Sequence, residues 1–306
     1  MDTQSIIVKK YFDPTCALYA CLFIMFVTIF VTGNQGFRDT DIIVIRKILH
    51  PEYYNGEFFN ISLEKYNPHY NYHYFVAFVA SKLGYKEDFL SLGKLFCILQ
   101  TGLTMLVLVR LCKYLFNNDQ IVLVISFTVF LSLIGVRVAE PLNMATPFYL
   151  LAIYYFLRER WSVSAFFGAL LFYLHVGMAV WWLLPSCLAL AIISLIQKRV
   201  PVKQVIRYLL VIIILSFPII YIYFGKSLDS NVDEFAIKYY YYAAWHDTSP
   251  LLSLIMRPIT FIGQWFIFVA LLLGYSKAKK VGFGNNCIIP LIIGVIVLFI
   301  MQFIFG

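Results

Sequence analysis

Charged residues are scarce in this chain of 306 residues, where Asp, Glu, Lys and Arg together make up 13%. Hydrophobic residues make up 61%, and the mean hydropathy is +0.81. Soluble globular domains carry about 25% charged residues. The composition therefore excludes an ordinary soluble enzyme with one anchor and favours a membrane protein that crosses the bilayer several times.

The chain also lacks the common motifs of cofactor and nucleophile chemistry. Its six cysteines form no CxxC pair, so they indicate neither a zinc site nor a disulfide framework. There is no Gly-rich phosphate loop, no Walker pattern, no HExxH and no GxSxG. ATP-driven transport and serine hydrolysis are therefore disfavoured. We expect no cofactor, with a divalent metal as the open alternative, because His69 and His73 have the spacing of metal ligands on a helix.

Long apolar runs are what the chain does contain. The first run, residues 16–32, can cross about 30 Å of hydrocarbon as a helix, and no small-residue cleavage site follows it. We predict an all-α fold, a polytopic transmembrane helix bundle of about nine spans that forms one integral membrane domain over residues 1–306. The predicted spans are 16–32, 89–108, 121–136, 145–157, 163–178, 181–196, 208–224, 259–273 and 287–305. Pro185 could instead kink one long element within 163–196, which would leave eight.

Basic residues collect in alternate short loops, which sets the predicted orientation. By the positive-inside rule the N-terminus is cytoplasmic, and five basic segments, the first of them N-terminal, lie on the same side. The opposite face then holds a first outer loop at about 33–88, a second at about 225–257, and a turn at 137–141. Twelve of the 16 acidic residues fall on this face. Because the net charge of +8 is spread over five loops, it indicates contact with membrane lipids and no nucleic acid.

The first outer loop divides into three parts. Residues 41–49 have the pattern of an amphipathic helix lying along the membrane interface. Residues 51–67 form a polar, aromatic loop. After Pro68, an aromatic run leads into the apolar stretch 76–83, which ends at Gly84. That stretch is too short to span, so we predict a juxtamembrane or partly re-entrant helix.

This order of features resembles the GT-C superfamily of membrane glycosyltransferases, and its poorly characterised bacterial branch most closely. The matching pieces are Arg38-Asp39-Thr40-Asp41, then Asn67-Pro68-His69-Tyr70 through Lys82-Leu83-Gly84, then the span from residue 87 to 108 and Arg110-Leu111-Cys112-Lys113. The resemblance covers about the first 120 residues in order, and the rest only as a hydropathy pattern. Members commonly have more spans, so the chain is expected to be a shortened member or one truncated at its C-terminus.

The resemblance implies transfer of a sugar from a polyprenyl-phosphate donor to a glycan or lipid-linked acceptor. The reaction would occur at the extracytoplasmic face of the bacterial cytoplasmic membrane, in the synthesis of a cell-envelope glycan. An inverting transfer needs a carboxylate that takes the proton of the acceptor hydroxyl. Asp39 or Asp41 would serve, and only one of them would face the cavity, because residues i and i+2 of a helix point about 200° apart. We favour Asp39, because it lies nearer the membrane and leaves Asp41 to cap the following helix.

A leaving polyprenyl phosphate also needs cationic or hydrogen-bonding groups around it. The candidate substrate-binding residues on the outer face are Arg38, Arg137, Glu140, His175, Trp245, His246 and Arg257. Structural alternatives stay open for several of them. Arg137 and Glu140 could form an ion pair that fixes a turn, and the aromatic residues before Trp245 could form an interfacial belt. His175, an ionisable residue inside a predicted span, could serve function or bond a neighbouring helix.

Other functions fit part of the same pattern. A lipid-linked glycan polymerase would carry outer-face carboxylates and basic residues, and Arg137 suits it. A membrane O-acyltransferase would need a buried catalytic histidine, for which His175 is the candidate. A polysaccharide or lipid transporter is the non-enzymatic alternative, but it is expected to show internal repeats and charges at mid-membrane, and the sequence shows no repeat.

Overall fold

The computed structural model describes residues 20–21, 23–25, 28, 36–37, 39–52, 69–116, 122, 138–228 and 287–305. This part of the chain is mostly helical. Its helices are α1 Asp39–Leu49, α2 Tyr70–Leu83, α3 Phe89–Leu115, α4 Pro141–Leu157, α5 Trp161–Leu174, α6 Val176–Ala191, α7 Val202–Leu228 and α8 Ile288–Phe305. A π-helical turn, Ile192–Ile196, continues α6. The predicted span 259–273, and 121–136 apart from residue 122, lie outside the described residues.

Three of the described helices are long and apolar enough to cross a membrane: Phe89–Leu115, Val176–Ile196 and Val202–Ile222. Two shorter apolar segments, Trp161–Leu174 and Ile288–Leu298, accompany them. Length and composition thus agree with the predicted membrane class. Helix α7 extends beyond the predicted span 208–224 at both ends, because it runs from Val202 to Leu228.

The ends of α2 and α3 follow from local chemistry. Helix α2 ends at Leu83 because Gly84 adopts the left-handed conformation, with a φ of 79°, as the sequence predicts. Helix α3 begins at Phe89 because a carboxylate oxygen of Asp88 accepts the Ser91 N–H at 2.9 Å. The hydrogen bonds from Ser91 lower the pKa of Asp88.

The break between α5 and α6 lies at His175, which corrects the predicted break at 179–180. His175 is extended, and its Nδ1 accepts the N–H of Met178 at 3.2 Å, so it ends one helix and caps the next. Gly177 leaves room for this ring, because a Cβ there would lie 3.0 Å from His175 Cε1. Pro185 lies inside α6 and does not end it.

Small residues bring the later helices into close contact. A Cβ on Gly168 of α5 would lie 2.7 Å from Trp182 Cδ1 of α6, and one on Gly294 of α8 would lie 2.5 Å from the Pro185 carbonyl oxygen. The buried Tyr208 hydroxyl of α7 donates to Ser186 of α6 at 2.8 Å. Close backbone approach and interhelical hydrogen bonds are the usual means of packing helices in membranes.

A pair of short strands departs from the all-α expectation. Strand β1, Gly36–Phe37, pairs in parallel with β2, Val138–Ala139, so that Gly36 faces Val138 and Phe37 faces Ala139. Strand β1 lies against α3 at Gly93, where a Cβ would lie 2.6 Å from Gly36 Cα. The pairing therefore brings the residues just before α1 alongside the residues just before α4.

The described helices have two chemically distinct ends. At one end the Tyr114 hydroxyl of α3 donates to the Leu157 carbonyl of α4 at 2.9 Å. Arg199, beyond α6, pairs with Glu159, beyond α4, at 3.4 Å. Basic residues gather at this end: Arg110, Lys113, Arg158, Arg160, Lys198 and Arg199. The strand pair and the starts of α4 and α6 lie at the other end, which we call the strand end.

We predict that Gly93→Ala destabilises the protein and that Gly36→Ala does not. The added methyl at Gly93 would force β1 away from α3, at a cost of about 1–3 kcal/mol, of which about 1 kcal/mol is offset by the better helix propensity of alanine. A Cβ on Gly36 meets only Leu90 Cδ1, at 3.9 Å, which is ordinary contact. Thermal unfolding of the purified variants in detergent measures both changes. Equal unfolding temperatures for the two variants would contradict the close contact of β1 with α3.

Candidate functional site

The strand end contains a buried carboxylate–imidazole pair. His73 Nε2 of α2 lies 2.7 Å from Asp41 Oδ1 of α1, with His73 2% and Asp41 8% exposed. The two residues are 32 apart in sequence, and their hydrogen bond joins α1 to α2, both in the predicted first outer loop. A short, buried hydrogen bond to a charged group is among the strongest side-chain interactions. It holds Asp41 in one orientation.

The position of Asp41 corrects its expected role as a helix cap. Helix α1 begins at Asp39, so Asp41 lies inside the first turn, and its carboxylate bonds to His73 instead of a backbone N–H. The reason for favouring Asp39 as the base is thereby weakened. The backbone of Asp39 starts α1, and its side chain lies outside the described residues.

The second carboxylate oxygen of Asp41 has no hydrogen-bond partner among the described residues, although it is buried. A buried acceptor without a partner costs about 1–3 kcal/mol. Such an atom in a native structure calls for an explanation, such as a catalytic role or a ligand that supplies the donor. Oδ2 of Asp41 is therefore the atom at which a proton from a substrate could be received.

Two further buried polar side chains lie near this pair. Tyr72, next to His73 on α2, is fully buried. Glu140, the residue before α4, is 7% exposed, and its side chain makes no capping hydrogen bond. The charges of both Asp41 and Glu140 act on the Tyr72 phenol. Asp41 and Glu140, which were predicted separately from the sequence, are thus brought to one place.

A second pair of imidazoles lies beside the first. The rings of His69 and His175 have centroids 4.8 Å apart, and each residue directly precedes a helix, α2 and α6 respectively. The His69 ring also hydrogen-bonds to the backbone of Leu174. Burial, with smaller contributions from His175 and His73, lowers the pKa of His69 from its ordinary value of 6.5 to about 4. His69 is therefore neutral at pH 7 in the folded protein.

The positively polarised ends of α2 and α6 meet at these two histidines. Helix N-termini carry partial positive charge and unpaired backbone N–H groups, and they favour anions. His175, predicted as a binding residue, thus lies beside His69 of the predicted first outer loop. The pair of His69 and His175 lies near the Asp41 carboxylate, because His69 is one helical turn from His73, the partner of Asp41.

The other predicted binding residues, Arg38, Arg137, Trp245, His246 and Arg257, lie outside the described residues. From their spacing, His69 and His73 are predicted only as metal ligands. Among the described residues, His, Cys, Asp and Glu form no group of three or more that could hold a metal. The divalent metal stays a prediction.

Neither His73, the partner of Asp41, nor Tyr72 was predicted from the sequence as a candidate site residue. A buried tyrosine in an aromatic run carries no signal that separates it from its neighbours. The spacing of His69 and His73 places His69, directly before α2, one turn from His73, which was a usable signal for a functional face. Nothing in the sequence identified Asp41 as the partner.

We predict that the protein loses stability as the pH falls from about 6.5 to about 4, and that His69→Gln reduces this loss. The pKa of His69 is lowered in the folded state, so in this range the unfolded chain binds a proton that the folded chain does not. The folded state is therefore not penalised by His69 above pH 6.5, the ordinary pKa of a histidine. It loses stability relative to the unfolded state as the pH falls toward about 4. Unfolding temperature against pH measures it in wild type and variant. The same pH dependence in both would contradict the burial of His69 against His175.

Comparison of the chain with protein-family models, with curated proteins and with solved structures finds no match. The assignment of a function therefore depends on the geometry of the strand end and on the order of features along the sequence.

Proposed function

We propose that the protein is a membrane glycosyltransferase that moves a sugar from a polyprenyl-phosphate-linked donor to the hydroxyl of an acceptor. The observation that carries the proposal is the buried pair of Asp41 and His73, in which Asp41 keeps one oxygen without a partner among the described residues. The donor class is supported by the GT-C-like order of features from Arg38 to Lys113.

In the proposed reaction the acceptor oxygen attacks the anomeric carbon of the donor sugar. The bond between that carbon and the phosphate oxygen breaks, and its electrons leave with the polyprenyl phosphate. Asp41 Oδ2 takes the acceptor proton as the new bond forms. His73 is a positioning residue: its hydrogen bond to Oδ1 fixes the orientation of the Asp41 carboxylate before the proton arrives.

The leaving phosphate is assigned to the neighbourhood of His69 and His175. The N-termini of α2 and α6 meet there, and their backbone N–H groups favour a developing negative charge. Arg38 and Arg137 are proposed to add positive charge, because each directly precedes or follows a residue of the β1 and β2 pair. Trp245, His246 and Arg257, predicted from the sequence as binding residues, stay part of the proposal on that ground alone.

The proposed location is an inner membrane, with the strand end extracytoplasmic. The apolar helices Phe89–Leu115, Val176–Ile196 and Val202–Ile222 support a membrane location. Helix α7 displays large apolar side chains, among them Ile214 at 65% and Phe217 at 58% exposed, which suit contact with lipid. The gathering of Arg and Lys at the opposite end supports a cytoplasmic position for that end. The nine-span topology and the interfacial placement of α1 belong to the same proposal.

A membrane O-acyltransferase is the second candidate, because a buried histidine does lie next to a carboxylate. In that chemistry the imidazole itself takes a hydroxyl proton. Here, however, Nε2 of His73 is occupied by Asp41 and the residue is 2% exposed, so the carboxylate is the better placed proton acceptor. A lipid-linked glycan polymerase would make the same bond exchange as the glycosyltransferase, with a lipid-linked glycan as its acceptor.

We predict that Asp41→Asn lowers sugar transfer on the order of 100-fold or more, because the amide cannot take the acceptor proton. Asp39→Asn should have a much smaller effect. The measurement is transfer of radiolabelled sugar from a pool of polyprenyl-phosphate donors to lipid-linked acceptors, in membranes with matched expression of each variant. Size-exclusion profiles of fluorescent fusions check that the variants fold.

Full activity in both aspartate variants would contradict the carboxylate mechanism. Loss of transfer in Asp39→Asn alone would assign the base to Asp39 instead. An acyl donor labelled in parallel separates the second candidate, since an acyltransferase would label the acceptor from that donor and release no polyprenyl phosphate.

A further inference from the structure

Tyr72 is a buried donor for which the described residues offer no acceptor. The residue is 0% exposed, and its ring lies edge-on against Phe96 of α3 and His73, with centroids 6.4 Å and 5.5 Å away. The phenol oxygen has no hydrogen-bond partner in the described part of the chain. Buried tyrosine hydroxyls are ordinarily bonded, because an unmet hydroxyl costs about 1–3 kcal/mol. The ring is thus fixed by packing, while its hydroxyl makes no hydrogen bond to a described residue.

The surroundings of Tyr72 keep its hydroxyl protonated. Burial has the largest effect on its pKa and raises it well above the ordinary value, and the charges of Asp41 and Glu140 raise it further. Among these, Asp41 has the largest electrostatic effect. Tyr72 therefore serves as a hydrogen-bond donor and cannot act as an anionic base at neutral pH.

Tyr72 and Asp41 together offer complementary hydrogen-bonding groups. One is a buried donor, the other presents a buried acceptor oxygen, and neither atom is bonded to a described residue. A hydroxyl group both donates and accepts, so its chemistry matches a donor such as Tyr72 and an acceptor such as Asp41 Oδ2. The nearby carboxylates of Asp41 and Glu140 make this place unfavourable for an anion such as phosphate. A neutral hydroxyl is the ligand class that fits.

We propose that Tyr72 binds the acceptor hydroxyl: its phenol donates a hydrogen bond to the acceptor oxygen, whose own proton points to Asp41 Oδ2. This inference rests on the proposed function and adds the acceptor subsite to it. Within the site, the hydroxyl acceptor then lies by Tyr72 and Asp41, and the donor phosphate lies by His69 and His175. The hydrogen bond orients the oxygen so that one lone pair faces the anomeric carbon.

The test is Tyr72→Phe, which removes the hydroxyl and keeps the ring. Purified protein in lipid nanodiscs receives radiolabelled polyprenyl-phosphate sugars and rising concentrations of lipid-linked glycans extracted from the expression host. We expect the KM for the acceptor to rise about 10-fold or more, and the KM for the donor to stay the same. The unfolding temperature should not fall, because the lost hydroxyl has no partner in the described part of the free protein.

Tyr154→Phe is the matched control. Tyr154 is also a buried tyrosine, but its hydroxyl accepts a hydrogen bond from Arg158 at 2.8 Å, at the opposite end of the bundle. This variant should leave the acceptor KM unchanged.

An unchanged acceptor KM in Tyr72→Phe, with wild-type transfer intact, would overturn the role of Tyr72 and leave the proposed function standing. A lower unfolding temperature with unchanged KM would likewise overturn it, because the hydroxyl would then have a structural partner. No transfer by wild type with any acceptor would remove the proposed function, and this inference with it.

Discussion

The hydrogen bond between Asp41 and His73 is the interaction on which the strand end depends. It ties α1 to α2 through two buried side chains, a carboxylate and an imidazole. Removing either partner leaves a polar group in an apolar setting, which typically costs 3–5 kcal/mol when the remaining partner is charged. Through α2, the same bond fixes the positions of Tyr72 and His69. The positions of the other site residues near α2 therefore depend on the Asp41–His73 pair.

Backbone contacts of β1 with α3 and β2 also hold the Asp41–His73 pair in place. Strand β1 lies directly on Gly93 of α3 and pairs with β2, so α1 starts at a fixed position relative to Glu140. His175 breaks the α5–α6 helix pair at the level where His69 lies. Four segments that are distant in sequence thus meet at one end of the bundle. Polar side chains such as Asp41, His73 and Glu140 are buried there. The far end carries Arg110, Lys113, Arg158, Arg160, Lys198 and Arg199.

The elements of the fold that were predictable from sequence are those with a local signal. Gly84 marks the end of α2, and Asp88 marks the start of α3. The length of the apolar runs marks the helices that could cross a membrane. The break at His175 was misplaced by a few residues, because 163–196 is almost uniformly apolar and one imidazole cap gives little periodic signal. The strand pair was not predictable, since two residues are too short to show alternation.

The candidate site was predictable only in part. Asp41, Glu140 and His175 were identified as single residues by their charge in an apolar chain, but their neighbours were not. The bond from Asp41 to His73 is a long-range contact, and propensity and periodicity carry no information about such contacts. The expected capping role of Asp41 was wrong because α1 starts two residues earlier, so the carboxylate was free to turn toward α2.

The most direct test of the central claim is the release of polyprenyl phosphate by purified protein in nanodiscs, measured alongside the sugar transferred. If Asp41, held by His73, receives the acceptor proton, the wild type releases one polyprenyl phosphate for each sugar transferred, and Asp41→Asn releases almost none. Release that is unaffected by Asp41→Asn in a folded protein would contradict the account.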